Sequence, residues 1–360
     1  MITNLNLVNF RNYSSVNFST SEKYNLLIGS NGQGKTNLLE AIYFLSLLRS
    51  FRTSQVKELR KIGTSGFRVA GTIKNTNSWE QKLEVIYQDT RKLKVDDTYI
   101  AKASEFIGYF RTVAFAPNDI LIIQGNSSFR RKFIDMALTR ISHSYLQKLQ
   151  DYNVALKSRN KILKNGYFKG VEKIISPYEE IIAINGLQVI NERIEFISRL
   201  KAEVLLLLRD FYGENFEFDL KYKTTVKVNT TDEYFKKLYE SRDKDFLRKQ
   251  TSFGPQTNDI DIILSKKNLR YYGSSGQCRL MALCLKMATI NLFSSQSIDT
   301  PLVVLVDDVT GELDQEKKSA FFKVINKAEQ VFFTATDIPH GDFFNTANIY
   351  KVDNAKLNKL

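Results

Sequence analysis

Residues 29–36 read Gly29-Ser30-Asn31-Gly32-Gln33-Gly34-Lys35-Thr36, a complete G-x-x-x-x-G-K-[ST] pattern. The apolar run Tyr24-Asn25-Leu26-Leu27-Ile28 precedes it, and Asn37-Leu38-Leu39-Glu40-Ala41-Ile42-Tyr43-Phe44 follows with helical spacing. Strand, glycine-rich turn and helix in that order commit the chain to an α/β fold. The glycines let backbone N–H groups close around phosphate oxygens, and the helix adds the positive end of its dipole. Lys35 is expected to reach the β- and γ-phosphates and the Thr36 hydroxyl to ligate Mg²⁺.

Such a loop needs a carboxylate on the magnesium side, at the end of a neighbouring strand. Leu302-Val303-Val304-Leu305-Val306 is too uniformly apolar for a half-exposed strand and reads as a buried parallel one. It runs into Asp307-Asp308, so Asp307 is expected to hold Mg²⁺ and Asp308 to orient the attacking water. A third element, Gly273-Ser274-Ser275-Gly276-Gln277, opens an apolar helix and resembles the signature motif of ABC-type ATPases. Gly311-Glu312-Leu313-Asp314 resembles their D-loop. That resemblance implies an ATP site shared between two copies. The phosphate loop of one copy (Gly29 to Thr36) is completed by Ser274, Gly276 and Gln277 of the other, with Asp314 nearby. Two ATP molecules, each with Mg²⁺, would then join a head-to-tail homodimer, and hydrolysis would release it.

The charge is unusual. Lys and Arg number 52 against 39 Asp and Glu, a formal +13. A polyanion partner, usually nucleic acid, suits that balance, and an anionic membrane surface would also satisfy it. Between Phe129 and Gly170, ten basic residues face only Asp135 and Asp151. Arg130, Arg131, Arg159, Lys161 and Lys164 are therefore expected to touch the DNA backbone. Cys278 and Cys284 are the only cysteines, and His143 and His340 the only histidines, too few for a disulfide framework or a zinc site. No stretch approaches the ~20 apolar residues of a membrane helix. The start, Met1 to Phe10, alternates like a strand and lacks a signal-peptide core. A cytoplasmic protein with no membrane partner is expected.

Two α/β segments flank a helical middle. Residues 67–100 read as an antiparallel meander. Leu146, Leu149, Asn153, Leu156, Asn160 and Leu163 form one coiled-coil-like seam, and Ile190, Ile194, Ile197, Leu200, Val204 and Leu207 a second, with a break at Asn165-Gly166. The expected architecture is an ABC-type P-loop ATPase head, a mixed sheet with flanking helices plus an antiparallel β subdomain, carrying an inserted α-helical arm lobe. The expected divisions are head 1–115, basic arm 116–250 and head 251–360.

Nearly end to end, the chain resembles the RecF family of bacterial recombination-mediator ATPases. The resemblance is carried by Asn9-Phe10-Arg11-Asn12-Tyr13, by Leu48 to Ser54, by Phe115-Ala116-Pro117-Asn118-Asp119-Ile120 leading to Arg130-Arg131-Lys132, and by Tyr272 to Gln277 with Asp307-Asp308-Val309. It implies an ATP-dependent homodimer that binds DNA at gaps and junctions and hydrolyses ATP slowly. With RecO and RecR it would aid RecA loading in recombinational repair, fork maintenance and SOS induction. Asp308 stands where transport ATPases have glutamate, and its shorter reach fits a switch rather than a motor. Two departures appear. Residues 254–259 are Gly-Pro-Gln-Thr-Asn-Asp where the family usually has Gly-Pro-His-Arg-Asp-Asp. Thr334-Ala335-Thr336-Asp337 replaces a switch histidine, giving Thr336 an expected role, while Arg52 fits either a ligand contact or a structural ion pair.

Three other readings compete. A transporter ATPase subunit does not account for the basic stretch. An SMC-type structural head carries arms of hundreds of residues. A nucleotide-gated DNA adaptor would keep ATP binding and lose hydrolysis.

Overall fold

The computed structural model describes residues 1–75, 77–213, 216–296, 299–309, 314–339, 344 and 346–360. The chain divides into two compact units, residues 1–119 with 283–360, and residues 120–282.

In the first unit the nucleotide-bearing sheet has the order β15 (Lys356–Lys359), β14 (Asn348–Asp353), β3 (Tyr24–Ile28), β13 (Gln330–Ala335), β12 (Leu302–Asp307) and β8 (Arg111–Phe115). Neighbours from β14 to β8 run parallel, and β15 turns back antiparallel. Every residue of β12 is buried, as an unbroken Leu/Val run on an interior parallel strand requires. The helix after the loop, α1 (Lys35–Leu47), begins two residues earlier than Asn37 because Gly34, at φ 122°, takes the cap position. Eleven of its thirteen residues are buried, so it is enclosed on all sides and not amphipathic. A second sheet is antiparallel, in the order β2 (Tyr13–Ser19), β1 (Ile2–Phe10), β4 (Phe67–Lys74), β5 (Glu80–Gln88), β6 (Thr90–Val95) and β7 (Thr98–Ile100). The expected meander is its last four strands, and the chain start supplies the other two. Short α2 (Ala103–Phe106) leads toward β8.

The second unit contains α3 (Leu121–Gln124), α4 (Ser127–Ile141), α5 (His143–Asn165), α6 (Val171–Tyr212), α7 (Thr231–Glu240) and α8 (Arg242–Arg248). It also contains a small antiparallel sheet of β9 (Phe218–Lys223), β10 (Asp259–Leu264) and β11 (Lys267–Asn268). After α9 (Leu269–Tyr272) the long α10 (Ser275–Ser294) carries the boundary between units. The expected division at 250/251 is therefore corrected. Strand β10 pairs with β9 from Asp259↔Lys223 to Leu264↔Phe218, which ties residues 251–282 to the arm. In chain order, α11 (Gln315–Ile325) is the last helix among the described residues.

The break at Asn165-Gly166 stands, with Gly166 capping α5 at φ 83°. The helical seams hold at Leu146, Leu156 and Leu163 and at Ile190, Ile197, Leu200, Val204 and Leu207, and each is displaced by one residue only where a neighbouring side chain takes the interior. On α5, Tyr152 and Arg159 point inward where Asn153 and Asn160 were expected, and Asn153 is exposed. On α6, Arg193 is buried and Ile194 is 45% exposed. The interior of this unit is built around buried arginines. Arg159 pairs with Glu179 and Asp245, Arg193 with Asp135, and Arg130 with Asp259.

This corrects the expected DNA contacts at Arg130 and Arg159. Arg159 is 0% exposed and Arg130 2%, and Arg130 also donates to the carbonyls of Ile123 and Gly125 at 3.2 and 2.9 Å. Arg131 is half-buried and donates to the Asn258 carbonyl at 2.8 Å. Arg159, committed to the buried Glu179 and Asp245, cannot also reach a phosphate without leaving unpaired interior charges, and Arg130 is itself enclosed and paired with Asp259. Lys161 and Lys164 are exposed on α5. The basic bias counted along the chain is thus partly cancelled in space by acids from distant segments.

Candidate nucleotide site

The phosphate loop is shaped by its neighbours as much as by its own glycines. Gly29 has φ 147°, and a Cβ there would lie 2.3 Å from the Val352 carbonyl oxygen. At Gly34, φ is 122° and a Cβ would meet Asn12 and Tyr13 at 2.9 Å. Neither position accepts a side chain. Three surrounding segments hold the loop. The Asn12 amide donates to the Gln33 carbonyl at 3.0 Å, and the Tyr13 hydroxyl to the Gly34 carbonyl at 3.1 Å. From the β14–β15 turn, the Ala355 N–H reaches the Gln33 carbonyl at 3.1 Å and the Asn354 N–H its side-chain Oε1 at 2.6 Å. Asn37 on α1 donates to Asn12 Oδ1 at 2.8 Å. Asn12 and Tyr13 lie in the segment that carried the family resemblance, yet the sequence offered no sign of this contact.

Behind the loop, Glu40 is fully buried and accepts two 2.7 Å bonds from Arg11. Arg52 lies 3.4 Å from the same carboxylate and donates to Asn37 Oδ1 at 2.8 Å. The structural ion pair expected of Arg52 is formed.

Lys35 is buried, its ammonium donating to the carbonyls of Gly29 and Ser30. Burial pulls its pKa down, partly offset by the charges of Asp308 and Asp307. Across the sheet, Thr36 Oγ1 donates to Asp307 Oδ1 at 2.7 Å. Burial raises the Asp307 pKa, opposed by hydrogen bonds from Thr36 and Thr334. Asp308 is exposed just past β12, with φ 52°. Gly29 to Thr36, Asp307 and Asp308 therefore converge within one unit. Thr336 is exposed beyond β13, whereas the threonine that touches the Asp307 carboxylate and the Asp308 N–H is Thr334.

In the other unit Ser274 and Gln277 form a reciprocal cap on α10. The Gln277 N–H donates to Ser274 Oγ at 3.2 Å, and the Ser274 N–H to Gln277 Oε1 at 3.0 Å. Gly276 is exposed, and a Cβ there would meet nothing within 4 Å. Among the described residues nothing requires that glycine. Asp314 caps α11, accepting the Lys317 N–H at 2.9 Å, while Gly311, Glu312, Leu313 and His340 lie outside the described residues. The departures at 256–258 are used locally. Gln256 donates to the Phe253 carbonyl at 2.9 Å and accepts from Tyr152; Thr257 donates to the Gly254 carbonyl at 2.8 Å; buried Asn258 accepts the Thr225 N–H at 2.9 Å.

The donor set suits a magnesium nucleotide. Thr36 and Asp307 juxtapose a hydroxyl and a carboxylate, the hard oxygens Mg²⁺ prefers, beside an ammonium enclosed by loop carbonyls. Residues 1–356 match the family described as the RecF/RecN/SMC N terminal domain. A DNA replication and repair protein RecF from Streptococcus suis is 35% identical over 341 residues, covering 93% of both chains. One from Streptococcus pneumoniae is 34% identical over 344 residues, covering 94% of this chain and 93% of the relative. The chain belongs to the RecF family. Among solved structures, the RecF family's recombination mediator with bound ATP superposes with a TM-score of 0.89 at 31% identity, covering 100% of this chain and 97% of that one. Its ATPrS form gives 0.88, also at 31%, with 100% and 98% covered. An Smc head bound to the C-winged helix domain of ScpA gives 0.55 at 16% identity, covering 100% and 97%, and shows a shared fold alone. The fold is that of an ABC-type ATPase. Among the described residues no helix is long and apolar enough to cross a membrane.

Proposed function

We propose that this protein is an ATP-gated DNA-binding switch of replication and recombinational repair, acting in the cytoplasm. ATP with Mg²⁺ joins two copies head to tail on DNA, and slow hydrolysis lets them part. The observation that carries this reading is the convergence of Lys35, Thr36, Asp307 and Asp308 in one unit, with Thr36 bonded to Asp307 at 2.7 Å. Membership of the RecF family and likeness to its ATP-bound structure support it.

In this reading the loop amides and Lys35 bind the triphosphate, and Thr36 and Asp307 hold Mg²⁺. The metal, when bound, offsets phosphate charge and orients the nucleotide. Asp308 orients the attacking water from an exposed position and a constrained backbone. The space at Gly276, which nothing in its own chain fills, accommodates the nucleotide held by the second copy, beside Ser274 and Gln277. Family membership supports RecR with RecO as partners, and RecA indirectly. The test is fluorescence anisotropy on gapped DNA. Retention should be strong with Mg·ATP and weak with Mg·ADP; equal retention in both would refute gating.

A further inference from the structure

We propose that Thr334 is the positioning residue for both carboxylates of the magnesium side. Strand β13 lies between the strand that feeds the phosphate loop and the strand that ends in Asp307. In the β12–β13 ladder Thr334 is the register partner of Asp307. Its hydroxyl, nearly buried at 4% exposure, donates to Asp307 Oδ1 at 2.9 Å and accepts the Asp308 N–H at 3.1 Å. One side chain thereby fixes the rotation of the first carboxylate and the backbone turn that aims the second.

The need for such a residue follows from the local geometry. Asp308 has φ 52°, in the left-handed region that Asp adopts more readily than most L-residues and that a hydrogen bond to its N–H helps to hold. The bond from its N–H to Thr334 is the side-chain contact that does so. Oδ1 of Asp307 takes the hydrogen bonds of both Thr36 and Thr334, and among the described residues Oδ2 accepts none. The carboxylate thus presents a defined second oxygen. Thr36 is also required by the metal, so its bond to Asp307 is shared duty, whereas Thr334 serves the two aspartates alone. Residues that orient a metal-ligating carboxylate typically change metal affinity about 10- to 100-fold when removed.

This inference rests on the nucleotide site proposed above, and the experiment separates the two claims. A fluorescent ATP analogue is titrated onto the full chain at increasing Mg²⁺, with Mn²⁺ binding followed in parallel by electron paramagnetic resonance. Thr334→Val keeps the shape and loses the hydroxyl; Thr334→Ser keeps the hydroxyl. Thr334→Val should raise the Mg²⁺ concentration for half-maximal binding about tenfold or more and weaken Mn²⁺ binding, with nucleotide affinity in EDTA unchanged. Thr334→Ser should lie close to wild type. If Thr334→Val does not fold, Thr334→Cys, whose thiol is a weak donor, is held to the same criterion. A wild-type Mg²⁺ midpoint in a folded variant lacking the hydroxyl overturns the role of Thr334. Failure of the wild type itself to bind the analogue would overturn the nucleotide site instead.

Discussion

Arg159 Nη1 donates to Asp245 Oδ2 at 2.8 Å while its Nε and Nη2 both reach Glu179 Oε1, at 3.1 and 3.0 Å, and all three side chains are fully buried. Arg242 closes the cluster on Glu179 Oε2 at 2.5 Å. Two guanidinium groups thus face two carboxylates from separate helices, at the centre of the arm.

Removing one member leaves an uncompensated interior charge. Arg159→Ala should destabilise the second unit by about 3–5 kcal/mol. Urea denaturation followed by circular dichroism checks this as a lowered midpoint. A variant of undiminished stability would mean that the cluster contributes little to the fold.

The surface lysines of α5 are the part of the basic stretch still able to meet phosphate. The double variant Lys161→Glu, Lys164→Glu should flatten the slope of log affinity for DNA against log salt by roughly two, near 0.9 for each lost phosphate contact. An unchanged slope places the DNA on another surface.

The contrast between Lys161 and Arg159 shows what the sequence could and could not reveal. The phosphate loop and the buried strand ending at Asp307 were legible because backbone chemistry dictates their residue types locally. Arg159 reads as a surface residue because a charged side chain is normally solvated, and nothing near Arg193 in the chain marks it as interior. Their partners Glu179, Asp245 and Asp135 are brought near only by the fold, and the helical seams are accordingly misread at the positions beside Arg159 and Arg193. Thr334 was missed in favour of Thr336 for a related reason. Alternation along β13 does not reveal that Thr334 falls opposite Asp307, since that depends on ladder register.

Gly276 separates local stability from function. A methyl group added there would find no neighbour within 4 Å, so Gly276→Ala should fold normally and stabilise α10 by up to about 1 kcal/mol. ATP-dependent association should nevertheless be lost, because the methyl group would occupy the space assigned to the second copy's nucleotide. Thermal melts and light scattering on the same sample check both halves; normal association in a folded variant would contradict the assignment.

Asp314 gives a pH signature. Its carboxylate is held below the ordinary value of 3.8 by the Lys317 ammonium and by the Lys317 N–H that it caps. A depressed folded-state pKa contributes stability above the unfolded value and loses it as pH falls through the folded one. Asp314→Asn, which still caps a helix, should therefore show a shallower loss of Tm between about pH 5 and 3 than wild type. Parallel acid profiles of the two would show that the carboxylate's charge is not what stabilises the cap.

The central claim is that ATP closes two copies of the chain on one another. Sedimentation velocity of Asp308→Asn with Mg·ATP measures it most directly, because that change removes the water-orienting carboxylate and should trap the bound state. The expected result is a dimer with Mg·ATP, a monomer without nucleotide, and a monomer under both conditions for Lys35→Met. Wild type and Asp308→Asn sedimenting identically with and without Mg·ATP would contradict it.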